Sequence, residues 1–125
     1  SDLAITHLYE PIALLVNQTN TPYRSIGFTL QATSGQRDAI GATVTVKTKD
    51  RSHYAQLTAG DGYMCSNQRR ISIGIGDIAV ANEVSVQWPS GTLQTFDDLK
   101  SNADYLLVEG SQPFLMLSHD TKPQR

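Results

Sequence analysis

The feature that most constrains this chain is a hydrophobic pattern that repeats every two residues. Ile26, Phe28, Leu30 and Ala32 alternate with Ser25, Gly27, Thr29 and Gln31. Ala42, Val44 and Val46 alternate with Thr43, Thr45 and Lys47, and the same rhythm runs through Ile71, Ile73 and Ile75 and through Val84, Val86 and Trp88. Period two is the spacing of a strand with one face on a core and the other in water; same-face helix neighbours stand three and four apart. Between these runs lie turn-forming stretches, among them Ser34-Gly35, Lys49-Asp50-Arg51-Ser52, Ala59-Gly60-Asp61-Gly62 and Pro89-Ser90-Gly91. Short strands punctuated this way specify a sandwich or barrel. Only Ile78 to Asn82 and Asp97 to Ala103 read as single helical turns. The expected fold is all-β, an antiparallel β-sandwich.

Composition narrows the function classes. The chain has 125 residues, 10 basic against 12 acidic, a net charge of −2 and a charged fraction of 18%. That is one domain's length, enough to bury roughly two-thirds of the unfolded surface. Low charge argues against bulk disorder, and the slight acidity against a chain-wide nucleic-acid surface. The longest apolar run, Pro11 to Val16, is strand-sized, and the first residues lack the basic-then-apolar pattern of a signal peptide. A single cysteine, Cys65, excludes an intrachain disulfide framework and a cysteine-rich zinc site. No G-x-S-x-G, H-E-x-x-H or C-x-x-C is present. His7, His53 and His119 are far apart in sequence, and a lone thiol in a β protein is expected to be a packed side chain. The chain is therefore expected not to be an enzyme.

The two ends differ from the middle. Asp2 to Thr6 and Ile12 to Asn17 form an expected strand pair around Glu10-Pro11, followed by a polar joint over residues 17–22. Phe114 to Leu117 suggests a last strand. The expected division is residues 1–20, a sandwich over 21–117, and a flexible tail over 118–125.

Three stretches in order carry a resemblance. The first is Arg37-Asp38-Ala39-Ile40-Gly41-Ala42-Thr43-Val44-Thr45-Val46. The second runs from Gly60-Asp61-Gly62-Tyr63-Met64-Cys65-Ser66-Asn67 through Arg70 to Gly74-Ile75-Gly76. The third is Val84-Ser85-Val86-Gln87-Trp88-Pro89-Ser90-Gly91, followed by Gln94. From Gly35 to Gly110 the chain resembles the ASPIC/UnbV domain family. Cys65-Ser66 stands where that family more often has serine-glutamine, and Ile73 where it often has phenylalanine. The resemblance implies a domain that closes an array of integrin-like FG-GAP (VCBS-type) repeats, which build propellers with calcium-binding loops. Asp2-Leu3-Ala4-Ile5-Thr6 is similar to the end of such a loop, and Leu14-Leu15-Val16-Asn17 to its following strand. Asp2 would then be an orphaned calcium ligand, since one carboxylate cannot supply the 6–8 oxygens calcium takes. The resemblance further implies a secreted or cell-surface setting, an upstream propeller of the same chain as partner, and relatives of the cartilage acidic protein. It implies no cofactor within this stretch and brings no established activity.

The candidate binding residues are Arg37, Asp61, Tyr63, Arg70 and Trp88. Trp88 closes an alternating strand and suits a core anchor; the functional alternative is an indole platform on which a sugar ring stacks. Gly60 and Gly62 permit a bulge or turn from which Tyr63 is expected to pack back on the sheet, and Asp61 could join Asp38, Asp77 or Asp97-Asp98 around calcium, without the spacing of a dedicated loop. Gly74-Ile75-Gly76-Asp77-Ile78-Ala79 reads formally as G-x-G-x-x-A, but no helix fits before the next strand, so it is expected to be a tight connection. Lys47, Lys49, Arg51 and His53 cluster on one expected hairpin, with Arg69-Arg70 elsewhere; such basic groups suit an acidic polysaccharide or a phosphate, and more simply a solvated, association-resistant edge. Arg37 is expected to pair with a carboxylate or to fix its loop. Asn17-Gln18-Thr19 is a formal glycosylation sequon. The leading expectation is a non-catalytic extracellular adhesion or ligand-binding module, its ligand a protein or a carbohydrate. Its rivals are a structural cap of the propeller and a carbohydrate-binding accessory of an enzyme. An exposed aromatic platform would favour the accessory, and a bare apolar strip around Ile12 to Val16 the cap.

Overall fold

The computed structural model describes residues 2–60 and 62–119, and they are all-β, with no helix. Two short strands, β1 (Leu3–Ile5) and β2 (Ala13–Leu15), pair antiparallel as a hairpin of their own. The other eight form two four-stranded sheets. One has the order β10-β9-β3-β6, built from β3 (Arg24–Gln31), β6 (Arg70–Gly76), β9 (Ala103–Val108) and β10 (Phe114–Ser118). The other has the order β5-β4-β7-β8, built from β4 (Thr43–Lys47), β5 (Ser52–Gln56), β7 (Val80–Gln87) and β8 (Leu93–Lys100).

Alternation places the core where the sequence puts it. Ile26, Phe28 and Leu30 of β3, Ile71, Ile73 and Ile75 of β6, and Tyr105 and Leu107 of β9 are buried from the first sheet. Val44 and Val46 of β4, Val84 and Val86 of β7, and Phe96 and Leu99 of β8 are buried from the second, in the same cluster. Phe28 and Tyr105 stack with ring centroids 6.4 Å apart, and the Tyr105 hydroxyl accepts from the Lys100 amide at 3.0 Å.

Three features depart from the sequence reading. The sheets are mostly antiparallel, but β3 and β9 run parallel, with Thr29 opposite Leu106 and Gln31 opposite Val108. The stretch Asp97 to Ala103 is not a helical turn: it is the end of β8 and the start of β9. Likewise, Val80 to Asn82 lies in β7. Asp98 takes φ 55° within β8, a conformation that Asp tolerates better than most residues, and Phe96 and Leu99 both face inward. Their partners Val84 and Ala81 on β7 keep the same three-residue spacing. That local break in period two mimics a helix in sequence. Finally, Ser118 belongs to β10 and the His119 amide donates to the Asn102 carbonyl at 2.6 Å, so the ordered edge runs past the expected boundary. The rest of that tail, residues 120–125, lies outside the described residues.

Candidate functional site

Two of the three motif stretches serve the fold. Trp88 is 1% exposed, so its face is not available as a sugar platform, and the core-anchor role is the one the structure carries. Its indole Nε1 donates to Gln94 Oε1 at 3.0 Å; the same oxygen accepts from the Gly110 amide at 3.0 Å, and Gln94 Nε2 donates to the Ser111 carbonyl at 2.7 Å. The Gly91 amide closes the turn onto the Trp88 carbonyl at 2.9 Å, with Gly91 at φ 92°. In the first motif, the Arg37 carbonyl accepts from Ala32 at 3.0 Å, and Gly41 and Leu57 tie the loop to the strand beside it. Ala39 is fully buried at φ 52°.

Glu109 joins these loops. Its Oε2 accepts from the amides of Thr33 at 2.9 Å and Ser34 at 3.0 Å, and the Ser90 hydroxyl donates to its Oε1. The Ser90 bond first, then the two amides, hold its carboxyl below the ordinary glutamate range. A carboxylate accepting several hydrogen bonds favours its charged form.

The outer face of the β10-β9-β3-β6 sheet is different. Arg70 on β6 reaches back across β3 to Asp104 on β9: its Nε lies 3.2 Å from Asp104 Oδ1, and its Nη2 meets the same oxygen. The other Asp104 oxygen sits 3.1 Å from His119 Nε2. Partial burial pushes the Asp104 carboxyl up, but the bonds and charges of Arg70 and His119 outweigh it and leave it below its ordinary value. Gly27 lies beneath this cluster, opposite Asp104 on one side and Ser72 on the other. A Cβ at Gly27 would collide with both Asp104 and Arg70. A glycine in a strand interior marks such a close approach.

Beside this cluster, two hollows meet at Thr29. One, of about 310 Å³, lies between Arg70, Asp104, Gln68 and the edge residues Met116 and Leu117. The other, of about 200 Å³, is lined by Thr29, Gln31, Leu106, Arg37, Asp38 and Arg69. Arg37 and Arg69 have no ion-pair partner among the described residues, so this groove keeps uncompensated positive charge apart from Asp38 on its rim.

The structure thus brings Arg37 and Arg70 of the sequence candidates to adjoining hollows and sends Trp88 into the core. Tyr63 is 92% exposed instead of packing on the sheet. Cys65 is also exposed, not packed; its Sγ occupies the space a Cβ at Gly62 would need. Asp61 lies outside the described residues. Asp2 accepts the Asn17 amide at 2.9 Å, which ties the hairpin's ends together. No group of three or more His, Cys, Asp or Glu side chains that could hold a metal occurs among the described residues. Lys47 of the basic hairpin pairs with Glu83 at 2.7 Å. Sequence reasoning missed Asp104, Glu109, Thr29, Gln31 and Leu106; the one local signal was Gly27 in the middle of a strand.

A family model described as ASPIC and UnbV matches residues 32–113 of the chain. Neither the curated proteins nor the solved structures yield a match.

Proposed function

This chain belongs to the ASPIC and UnbV family, and we propose that within it the chain is a non-catalytic closing module of an exported protein. In this reading the hairpin of β1 and β2 completes a preceding β-rich repeat, and the sandwich caps it. The observation that carries the reading is the bareness of the hairpin. Leu3, Leu14, Leu15 and Val16 are exposed, Leu14 at 70%, and neither strand pairs with the sandwich. A two-stranded hairpin is marginal alone in water, and a contiguous apolar patch marks a surface made to be covered. The test is to express the chain joined to the segment encoded ahead of it and to follow amide exchange at residues 3–5 and 13–15. Slowed exchange there, relative to the chain by itself, is the expected result; unchanged exchange would remove the cap reading.

A second reading, adhesion or ligand recognition by the sandwich, is favoured by the arginine groove. Recognition sites concentrate polar groups left unsatisfied within the protein beside an apolar floor, and the hollow holding Arg37 and Arg69 has that character. The exposed aromatic in the second motif, Tyr63, lies on the same 57–69 connection as Arg69 but does not line that hollow. The buried Trp88 offers no support for a stacking accessory of an enzyme.

A further inference from the structure

We infer that the groove between Arg37 and Arg69 on the outer face of the β10-β9-β3-β6 sheet binds an acidic polysaccharide through the carboxylates of its uronate residues. The inference rests on the recognition reading and adds the class of ligand. Its floor is a cross-strand row. Leu106 of β9 and Arg70 of β6 stand on either side of Thr29 of β3, and Gln31 lies two residues further on, beside Val108. Phe28 and Leu30 point into the core, so Thr29 and Gln31 face out. Arg37 comes from the β3–β4 connection and Arg69 from the residue before β6, and both line the hollow.

Each group matches a part of a uronate. Guanidinium binds carboxylate in a planar, two-bond fork, an arrangement an ammonium does not reproduce. The Thr29 hydroxyl and Gln31 amide can exchange hydrogen bonds with ring hydroxyls. Leu106, half-buried, offers the apolar surface on which the C–H face of a pyranose can rest. Arg70 is excluded from this role because Asp104 already neutralises it; Arg37 and Arg69 are the arginines of the groove with charge to spend.

The location favours a glycan over an acidic peptide. Peptides gain affinity by adding a strand to an open edge, where backbone groups are unpaired. This groove lies over β3, an interior strand: Thr29 is paired with both β6 and β9, and Gln31 with β9. Recognition of a ligand there falls to the side chains that line it.

The test is calorimetric titration of the whole chain with three probes: an oligogalacturonate, its fully methyl-esterified counterpart, and an oligoglutamate of similar charge. Arg37→Gln and Arg69→Gln are made in parallel, with thermal melts. Both side chains are partly or fully exposed, and the loop bond at residue 37 is made by its carbonyl, so melting temperatures should not move. The expected result is binding of oligogalacturonate that each variant weakens about tenfold, falls with added salt, and is lost on esterification. Arg69→Lys should recover only part of the loss. Equal binding of the esterified probe, stronger binding of oligoglutamate, or indifference to both variants would overturn the acidic-glycan assignment while leaving recognition by another surface or ligand standing. A glycan array of neutral, sulfated and uronate sugars that stays silent throughout would overturn any glycan-recognition reading of the sandwich.

Discussion

At the scale of single residues, the polar groups under the loops do more for the fold than their surface position suggests. Gln94 holds three partners, one of them the indole of the largest buried side chain. Replacing it with methionine keeps the length but leaves Trp88 Nε1 without an acceptor, so Gln94→Met should cost about 1–3 kcal/mol. A urea titration followed by Trp88 fluorescence would read this directly. Glu109 makes the parallel case for pH. Its folded carboxyl is held below its ordinary value, so the stability it gives is complete above the unfolded pKa of about 4.3 and drains away as pH falls through the lower folded value. Glu109→Gln should therefore be less stable than the parent near neutral pH. The gap should close as pH falls through that lowered folded value. Melting curves across that range would show it, and a constant gap would mean that Glu109 contributes nothing through its charge.

At the scale of elements, the ion pair of Arg70 and Asp104 depends on a strand that lacks a side chain where the two meet. Gly27→Ala should destabilise the sandwich by about 1–3 kcal/mol, the range for forcing atoms into occupied space. The same substitution in an Arg70→Ala, Asp104→Ala background should cost much less, because the colliding atoms are gone. Equal costs in both backgrounds, measured by denaturant midpoints, would show that the backbone itself rejects Ala at residue 27. These elements also show what a sequence can and cannot disclose. β3, β4 and β6 were legible because each repeats strictly every two residues. The facing ends of β7 and β8 were not, because Ala81, Val84, Phe96 and Leu99 face inward at a spacing of three. Arg37 and Arg70 were legible through their motifs. Leu106 and Thr29 were not, because they meet only through a parallel pairing of strands about 75 residues apart, for which no local pattern exists.

At the scale of the whole molecule, the hairpin and the sandwich answer to different demands. The sandwich has its own core, drawn from both sheets and holding the loops of the family motifs. The hairpin keeps its leucines in water and adds no residue to that core. Apolar surface gains free energy by leaving water at about 25 cal/mol per Å², so a bare hairpin will find a partner, and in a solution of one protein the available partner is a second copy. Sedimentation velocity should accordingly show weak, concentration-dependent association of the whole chain and a monomer for a version beginning at Thr21. The melting temperature of the shorter version should stay close to that of the whole chain, since no core side chain is lost with residues 1–20. Identical monomers would mean that the hairpin's leucines are insufficient to drive association. A large fall in melting temperature would mean instead that the hairpin supports the sandwich, and the two parts would then have to be treated as one folding unit.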